Sequence, residues 1–472
     1  MSRLIVISNR VTPQTGQAGA QGGLWVALGA ALRAYRGIWF GWSGGKIERF
    51  TGQIDLQRHD GVTTATIDLE EQDIDEYYNG YANRTLWPLF HYRIDLAEYD
   101  RSFGSGYERV NHRFAETVAP LIDPDDLVWV HDYHLIPLGS QLRERGVKNR
   151  IGFFLHIPWP PARLLVSLPF HERLVRSLLA YDLIGFQTEE WLESFRHYVE
   201  RELGAEMDSE GNVRLDGRTV KAGVFPIGID YDEFREAAES PEALEACARL
   251  RRSAEGKHII VGVDRLDYSK GLEERFSGYR RFLEENGDCR GRVFLLQIAP
   301  PSRGEVHTYE DIRERLDELS GRINGEFAEI DWVPIRYVNQ GYARADLAGF
   351  YRASEIGLVT PLRDGMNLVA KEYVAAQDPE DPGVLILSRF AGAALQLTEA
   401  LLVNPYSKDE ISDAIRTALA MPKEERIRRW RAMMDNVRDE NVVAWREAFV
   451  KALEEIDVAE PPAARTAETA AT

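Results

Sequence analysis

Cysteine is almost absent from this sequence. Only two cysteines, Cys247 and Cys289, occur in 472 residues, and no motif spacing relates them. A disulfide framework or a zinc knuckle needs several cysteines at recognisable spacings. The sequence therefore predicts neither kind of site, and it predicts two ordinary, partly buried thiols in a protein of a reducing compartment.

Long hydrophobic runs and an excess of basic residues are also missing. No segment approaches the about 18 consecutive apolar residues expected of a membrane-spanning helix, and MSRLIVISNR leads directly into a short apolar run. The net charge of -19 disfavours nucleic acid, because phosphate backbones bind to clustered Lys and Arg. We therefore expect a cytoplasmic protein with small-molecule substrates, and neither nucleic acid nor a membrane as a partner.

Short apolar runs alternate with longer helical patterns through most of the chain. The runs are RLIVISN, GIWFGW, DLVWVHD, RIGFFLHIP, DLIGFQT, HIIVGVD, RVFLLQIAP, EIGLVTP and GVLILS. This alternation indicates parallel sheets covered by helices, and the length exceeds what one core usually organises. The predicted fold class is α/β, with two doubly wound Rossmann-like domains facing a cleft.

Pro226, Gly228 and polar residues interrupt the pattern in KAGVFPIGIDYDEF. We place the domain boundary there, between an N-terminal domain at 1–228 and a C-terminal domain at 229–440. Helical segments such as GLEERFSGYRRFLEEN carry charges on one face, which we expect to be solvated. The last segment, 459–472, lacks large apolar residues and is expected to be disordered.

In doubly wound sheets, ligands bind beyond the carboxyl ends of the strands, so polar residues at those ends are functional candidates. Arg10 follows the first strand and could hold a phosphate. Gly22 and Gly23 open a helix whose N–H groups could approach an anion, although a flexible loop would look the same.

Aromatic residues are dense in EYYNGYANRTLWPLFHYR, which contains Tyr77, Tyr78, Tyr81, Trp87 and Phe90. Most aromatic residues at helical spacing belong to a core, but a sugar site also uses aromatic faces. The pattern leaves both interpretations open for this segment.

His131, Asp132 and His134 directly follow the strand VWV. A metal would need three or four convergent ligands, so Asp132 is better explained as an acceptor for sugar hydroxyls or as a base. His156 ends another strand, where a single histidine in an apolar run is more often structural.

Three further cations stand near strand ends. Arg265 and Lys270 flank a strand-to-helix turn in GVDRLDYSKG, where they could neutralise a diphosphate without a metal. The alternative is a helix cap by Ser269 with incidental charges. Arg303 follows the strand in QIAPPSRG and suits an anion better than a core.

Ten segments carry these residues in order between about residues 3 and 455: SNR, GGL, WFGWSG, EYYN, LWPLFHYR, HDYHL, IGFFLHIP, DRLDYSKG, PSRG and TPLRDGMNLVAKEY. In this order they resemble the trehalose-6-phosphate synthase family, retaining glycosyltransferases of the GT-B fold. The resemblance implies transfer of glucose from a nucleoside-diphosphate glucose, commonly UDP-glucose, to glucose 6-phosphate. It also implies a C-terminal helix, within 441–458, that crosses back to the N-terminal domain.

The resemblance assigns roles to individual residues. Acceptor binding is implied for Arg10, Trp42, Tyr78, Trp87, Asp132 and Arg303. Donor binding is implied for Gly22, Gly23, Arg265, Lys270, Tyr342, Asp364, Gly365, Met366, Asn367, Leu368, Val369 and Glu372, with Glu372 at the ribose hydroxyls. The residues implied at the chemical step are Asp132, His156, Arg265, Lys270 and Asp364.

The mechanism implied by the resemblance is front-face transfer, in which the acceptor hydroxyl attacks on the side that the diphosphate leaves. No metal ligands and no required cofactor are expected, with stimulation by a divalent cation left open. A homo-oligomer, dimer or tetramer, is expected. The chain ends soon after the last helical segment, so no appended phosphatase domain is expected.

Three other functions stay in view. A glucosylglycerol-phosphate synthase would share the donor half and differ around Tyr78, Trp87 and Arg303. A catalytically silent nucleotide-sugar sensor would be expected to have lost some of the residues Arg265, Lys270, Asp364 and Glu372. A glycosidase would need two carboxylates flanking the scissile bond, whereas most strand-end groups here are cations. The donor base is not determined by these residues.

Overall fold

The computed structural model describes residues 3–11, 32, 35–59, 61–301 and 307–456. The strands are β1 Leu4–Arg10, β2 Ile38–Ile47, β3 Asp55–His59, β4 Val62–Glu70, β5 Leu127–His131, β6 Ile151–Phe154, β7 Leu183–Phe186, β8 Glu206–Met207, β9 Asn212–Leu215, β10 Arg218–Val224, β11 His258–Val263, β12 Val293–Ile298, β13 Ile335–Val338, β14 Ile356–Val359, β15 Val384–Ser388 and β16 Leu401–Val403.

The α-helices are α1 Glu71–Asp73, α2 Trp87–Phe90, α3 Arg101–Val118, α4 Leu138–Glu144, α5 Ala162–Leu165, α6 His171–Leu178, α7 Glu189–Leu203, α8 Tyr231–Glu239, α9 Pro241–Ala254, α10 Leu272–Glu285, α11 His307–Phe327, α12 Arg344–Ala353, α13 Leu368–Ala376, α14 Lys408–Leu419, α15 Lys423–Asp439 and α16 Val442–Glu454. A π-helix, Ile74–Leu86, joins α1 to α2. Short 3-10 turns occupy Ile94–Leu96, Ala119–Leu121, Tyr133–Leu135, Tyr268–Lys270, Gly287–Cys289 and Gly392–Leu395.

The first sheet contains ten strands in the order β3-β4-β2-β1-β5-β6-β7-β10-β9-β8. The seven strands from β4 to β10 pair in parallel, whereas β3 and the pair β8 and β9 are antiparallel edges. The sequence predicted β1, β2, β5, β6 and β7, but it predicted neither β4 and β10 nor these edges, whose short, largely exposed segments carry no long apolar run. Successive strands are added to one side of β1 and then, from β5 onward, to the other side, so the switch point of this sheet lies between β1 and β5.

The second sheet is entirely parallel, in the order β13-β12-β11-β14-β15-β16. Counted from β11, this is the order 3-2-1-4-5-6 of a dinucleotide-binding fold, with its switch point between β11 and β14. The central strands are buried on both faces because helices cover both sides, which explains their continuous apolar sequences. The predicted fold class, two doubly wound α/β domains, is confirmed.

The C-terminal helix α16 packs on the first sheet. The ring of Phe449 stacks on that of Trp129 with centroids 4.4 Å apart. A Cβ atom on Gly152 would come within 2.7 Å of the same phenyl ring, and one on Gly185 within 2.8 Å. The lack of a side chain at these two positions therefore allows the helix to pack this closely on the sheet. Arg150 Nε also donates to the carbonyl of Ile456 at 2.7 Å.

The predicted division at 228/229 lies in the segment between the end of β10 and the start of α8. KAGVFPIGIDYDEF was predicted to be the crossing segment, but its first four residues belong to β10. The exact domain limits stay a prediction. The tail at 459–472 lies outside the described residues, as do Gly22, Gly23 and Arg303.

Candidate active site

The carboxyl ends of the two parallel sheets contribute side chains that meet across the interface between the domains. Trp87 Nε1 donates to Asp267 Oδ1 at 3.4 Å, and the backbone of Gly365 passes so close to His156 that a Cβ atom would lie 2.0 Å from the His156 carbonyl oxygen. Segments of both domains therefore contribute to one candidate site.

The first sheet contributes an aromatic and cationic cluster. The guanidinium of Arg10 lies 5.5 Å from the ring of Trp42, and the ring of Trp42 lies 5.6 Å from that of Tyr78. Tyr78 in turn stacks on His134 at 6.0 Å. The structure thus brings together three residues that the resemblance assigned to the acceptor. His134 joins them, although the sequence suggested it only as a metal ligand.

Asp132 adopts φ 76°, an unusual backbone conformation for a residue other than glycine. Its carboxylate accepts a hydrogen bond from the backbone N–H of His156 at 3.2 Å, so it links the ends of β5 and β6. His131 points instead into the sheet, where its Nδ1 lies 3.1 Å from His156 Nε2. Burial lowers the pKa of His156 to about 3, so the imidazole is neutral at physiological pH.

Trp87 lies at the end of the long helical segment and is nearly buried. Its ring packs against His91, with centroids 4.1 Å apart, and the guanidinium of Arg265 lies 5.9 Å from its centroid. Nδ1 of His91 lies 2.7 Å from the carbonyl oxygen of Trp87. Burial lowers the pKa of His91 to about 4, which keeps that ring neutral. Trp87 therefore contacts a predicted donor-binding cation directly.

Lys270 and Asp364 form the polar centre of the second domain. Lys270 Nζ lies 2.6 Å from Asp364 Oδ2, and the side-chain amide of Asn367 donates to the same oxygen at 3.0 Å. Asn367 also caps α13, since its side-chain oxygen accepts from the N–H of Ala370 at 3.2 Å. The left-handed φ of 77° at Asn367 makes this arrangement possible.

A buried arginine on α10 supports this centre. Arg275 is fully buried and donates to Asp264 at 2.7 Å, to Gln297 at 2.9 Å and to Thr360 at 3.0 Å. These partners come from the ends of β11, β12 and β14. The sequence predicted that the charges of this helix would be solvated, which is wrong for Arg275. An amphipathic pattern does not distinguish a charged side chain buried at the carboxyl ends of the strands from one on the protein surface.

The turn before α10 is built by Asp267 and Gly271. Asp267 accepts from the N–H of Ser269 at 2.9 Å, and Gly271 has φ +63°, with its Cα facing the carbonyl of Thr360. The alternative of a cap by Ser269 is wrong, because its buried hydroxyl has no hydrogen-bond partner among the described residues. The turn thus holds Lys270 beside Asp364 at the start of a helix.

The segment from Gly365 to Glu372 follows β14. Its first three residues lead into α13, and the rest form the first half of that helix. Gly365 and Met366 are buried, whereas Leu368 and Val369 are half-buried in the first helical turn. Glu372 accepts a long hydrogen bond of 3.5 Å from the hydroxyl of Tyr351. Burial raises the pKa of Glu372 to about 7, against the opposing charge of Arg344.

Tyr342 follows β13, the strand at one edge of the second sheet. Its ring packs against Phe350 at 5.1 Å, and its hydroxyl accepts from Gln340 at 2.8 Å. These contacts do not join it to the pair of Lys270 and Asp364. Within the described residues no group of three His, Cys, Asp or Glu side chains is arranged to hold a metal ion.

The sequence matches one family model, glycosyltransferase family 20, over residues 3–455. The chain belongs to this family. It is 50% identical over 456 residues to the trehalose-6-phosphate synthase of Sinorhizobium fredii, which covers 96% of this chain and 98% of the relative.

Two of the solved structures that this chain resembles contain bound ligands. The trehalose-phosphate synthase of Burkholderia xenovorans in complex with glucose-6-phosphate has a TM-score of 0.92 and 49% identity, covering 96% of this chain and 100% of the other. The E. coli protein bound with UDP-2-fluoro glucose has a TM-score of 0.92 and 45% identity, covering 97% and 100%. The predicted family resemblance and the GT-B fold are therefore confirmed, and the chain is a glycosyltransferase.

Proposed function

We propose that this protein transfers glucose from UDP-glucose to glucose 6-phosphate, with retention of configuration, to form α,α-trehalose 6-phosphate. The observation that carries the proposal is the contact of Trp87 in the first domain with Asp267 and Arg265 in the second. The first domain adds the cluster of Arg10, Trp42 and Tyr78. The second adds the pair of Lys270 and Asp364. Relatives similar over nearly the whole chain carry the corresponding names and ligands.

On the donor side, we assign Arg265 and Lys270 to the diphosphate. The start of α10 adds a helix N-terminus at Leu272, whose backbone N–H groups favour an anion. Together they stabilise the charge that develops on the departing diphosphate. Asp364, Gly365, Met366 and Asn367 then face the transferred glucose, Leu368 and Val369 the nucleotide, and Glu372 the ribose hydroxyls.

On the acceptor side, the cation of Arg10 binds the phosphate, together with Arg303. Tyr78, Trp42 and Trp87 provide aromatic faces and polar tips for the sugar, and Asp132 accepts from its hydroxyls. The cleft holds both substrates in the geometry of attack, which is the larger part of the rate acceleration in such a mechanism.

The chemical step is a front-face displacement. The acceptor hydroxyl oxygen forms a bond to the anomeric carbon while the bond from that carbon to the diphosphate oxygen breaks. The acceptor proton passes to the departing phosphate oxygen, so no carboxylate nucleophile takes part. His156, neutral in its buried position, contributes hydrogen bonding near the reacting sugar rather than a charge.

We also propose that the reaction requires no cofactor, since two cations and a helix N-terminus neutralise the diphosphate. A homo-oligomer and a cytoplasmic location stay predictions, to be tested by light scattering and by fractionation of cells. Within the described residues no helix is long and apolar enough to span a membrane.

The test is an assay of purified protein with UDP-glucose and glucose 6-phosphate. We expect release of UDP and formation of a phosphorylated, non-reducing disaccharide whose two anomeric centres are both α by NMR. A panel that includes glycerol 3-phosphate and GDP-glucose and ADP-glucose identifies the acceptor and the donor base. Absence of turnover with every donor would contradict the proposal, and preference for glycerol 3-phosphate would favour a glucosylglycerol-phosphate synthase.

A further inference from the structure

A cavity of about 510 Å³ opens on the first domain, between the π-helix, the start of α3 and the segment before α6. None of the residues that line it belongs to the proposed donor or acceptor site. The residues that give it its chemical character are Tyr81, Tyr99, Gly104, Glu108, Phe170 and Arg173. Its volume is within the range of ordinary ligand sites, roughly 300 to 1,000 Å³.

The walls combine aromatic faces with a few polar groups. The ring of Tyr81 packs on Tyr107 at 4.5 Å, and the hydroxyl of Tyr99 lies 3.2 Å from that of Ser167 and closes one side. Glu108 and Arg173 form an ion pair of 3.2 Å at the polar side. Burial raises the pKa of the Glu108 carboxyl above its usual range, although 34% of this side chain stays exposed.

Phe170 at the rim is unusual in two ways. Its side chain is 80% exposed, the largest exposure of any described phenylalanine in the structure, and its backbone has φ 60°. A bulky residue in the left-handed region costs about 1 to 3 kcal/mol, and such strain concentrates at ligand sites. An aromatic side chain as exposed as that of Phe170 contributes little to the packing of the core.

We propose that this cavity binds a neutral sugar of one or two hexose units. The apolar C–H faces of a sugar suit the tyrosine and phenylalanine rings, while its hydroxyls can donate to Glu108 and accept from Arg173. The two carboxylates of the lining, Asp100 and Glu108, balance its two cations, Arg101 and Arg173, so the cavity has no net charge that would favour an anion such as a sugar phosphate. The binding of a neutral sugar does not depend on the proposed catalytic function.

The site is connected to the candidate acceptor site by direct contacts. The hydroxyl of Tyr107, behind Tyr81, donates to the carbonyl of Tyr133 at 2.6 Å. Tyr133 follows Asp132 in the chain, and its ring lies 5.7 Å from that of Trp87. A sugar that moves Tyr81 and Tyr107 therefore acts on residues that hold the proposed acceptor site.

Filling the cavity is the main test, with maltose and glucose as probes in saturation-transfer NMR and calorimetry. Gly104 lies in α3, and its added Cβ atom would meet only Tyr81, at 3.8 Å. Gly104→Leu should therefore fold and should weaken maltose binding at least tenfold. The matched control is Gly321→Leu, at a helical glycine with nothing within 4 Å, which should bind maltose as the unmodified protein does.

Equal binding of maltose by Gly104→Leu and the unmodified protein, or no binding by the latter, would overturn the proposal. Sugar that enters the catalytic cleft contributes equally to both proteins, so the difference between them reports the cavity. A second variant, Phe170→Gly, removes the aromatic ring and relieves the backbone. It should be at least as stable and should bind maltose several-fold more weakly, whereas Glu255→Gly, at another left-handed residue with φ 52°, should not change binding.

The connection between the cavity and the candidate acceptor site is tested by enzyme kinetics. This test, unlike the binding test, rests on the proposed function. Saturating maltose should shift the KM for glucose 6-phosphate in the unmodified protein and in Gly321→Leu, with no shift in Gly104→Leu. An identical shift in all three would assign the effect to the cleft and refute the connection. Absence of turnover would refute the proposed function while leaving the binding result intact.

Discussion

At the residue scale, Arg275 is a fully buried side chain that supports the candidate donor site. Replacement by methionine leaves Asp264 as a buried carboxylate without its cation, and it also removes the bonds to Gln297 and Thr360. Loss of one partner of a buried ion pair costs about 3 to 5 kcal/mol. We therefore expect Arg275→Met to lower the free energy of unfolding by that amount, as measured by urea denaturation.

Arg281 provides the control for this prediction, because it lies on the same helix with 42% of its side chain exposed. Arg281→Met should change stability far less than Arg275→Met, because solvent screens the ion pairs of an exposed guanidinium. Because Arg275 also donates toward the carbonyl of Lys270 at 3.4 Å, any folded Arg275→Lys protein should show a raised KM for the donor. A raised KM for glucose 6-phosphate alone would contradict a role in positioning Lys270.

Glu372 gives a prediction for the dependence of stability on pH. Burial raises its pKa from 4.5 to about 7 in the folded protein, so the folded state holds this proton more tightly than the unfolded state. Stability is therefore lost as the pH rises from 4.5 to about 7, by up to about 3 kcal/mol. Glu372→Gln should remove this loss and be more stable than the unmodified protein at pH 8.

The advantage of Glu372→Gln should shrink as the pH falls and should vanish below pH 4.5, which thermal melts at several pH values can follow. Glu236→Gln, at an exposed position of α8, should show no such trend. A constant difference at every pH would mean that the substitution acts through packing or hydrogen bonding. In that case the carboxyl is not the titrating group.

Arg10 offers a test of the acceptor side. Its guanidinium is exposed at the end of β1, and no carboxylate among the described residues pairs with it. A charge-assisted hydrogen bond to phosphate is worth about 1.5 to 3 kcal/mol, so Arg10→Ala should raise the KM for glucose 6-phosphate at least about tenfold. The KM for UDP-glucose should change far less, and Arg58→Ala on the exposed edge strand should change neither.

Residues at strand ends could be predicted individually, because the topology of a doubly wound sheet fixes where ligands bind. Arg10, Asp132 and Lys270 were found in this way, and the structure places each at or beyond such an end, whereas Asp364 was implied only by the family resemblance. Arg275 could not be predicted, since its helix has an ordinary amphipathic pattern. The pairing of His131 with His156 was equally invisible, because it depends on the register of β5 against β6.

At the element scale, the helical segment that carries Tyr78 and Trp87 is held against α3 by close backbone approaches. A Cβ atom on Gly106 would lie 2.3 Å from the Cβ of Glu76, and one on Gly80 would lie 2.5 Å from the ring of Phe103. Asp73, fully buried at the start of this segment, is held by Arg109 at 2.8 Å and by Arg113. π-helical geometry is rare and often marks functional sites.

Gly106→Ala should therefore separate the two helices even though alanine favours a helix by about 1 kcal/mol over glycine. We expect a lower melting temperature and a raised KM for glucose 6-phosphate, because Tyr78 moves with the π-helix. Gly325→Ala, with nothing within 4 Å of the added Cβ, should be neutral or stabilising. If Gly106→Ala matched that control, the close packing of the two helices would have no role in positioning Tyr78.

The sequence closely predicted the strands that have continuous apolar runs and the helix α10, since each is a strong local pattern. It did not predict the π-helix, because a shift from 3.6 residues per turn is too small to read from EYYNGYANRTL. The edge strands β3, β8 and β9 were missed for a related reason. Their pairing partners, rather than their own apolar content, make them strands.

At the scale of the whole molecule, three contacts hold the second domain in place, in addition to the hydrogen bond from Trp87 to Asp267. Lys371, fully buried on α13, donates to the carbonyl of Ile227 in the connecting segment at 2.9 Å. Arg363 reaches across to Tyr92, with its guanidinium 3.9 Å from the ring centroid. The third contact is the close approach of Gly365 to His156.

Gly365→Ala tests whether this close approach sets the geometry of the cleft. The added methyl group would lie 2.0 Å from the carbonyl oxygen of His156, and backbone at that position cannot move aside without shifting β6 or the turn after β14. A displacement of about 1 Å at the reacting centre can cost about a hundredfold in rate. We expect kcat to fall about a hundredfold, with little change in the thermal unfolding of either domain. The control Gly287→Ala, whose added Cβ atom would have nothing within 4 Å, should keep full activity.

Small-angle scattering should show a more open particle for Gly365→Ala than for the unmodified protein. Full activity in this variant would mean that the two domains react from a more open arrangement, in which Gly365 and His156 do not touch.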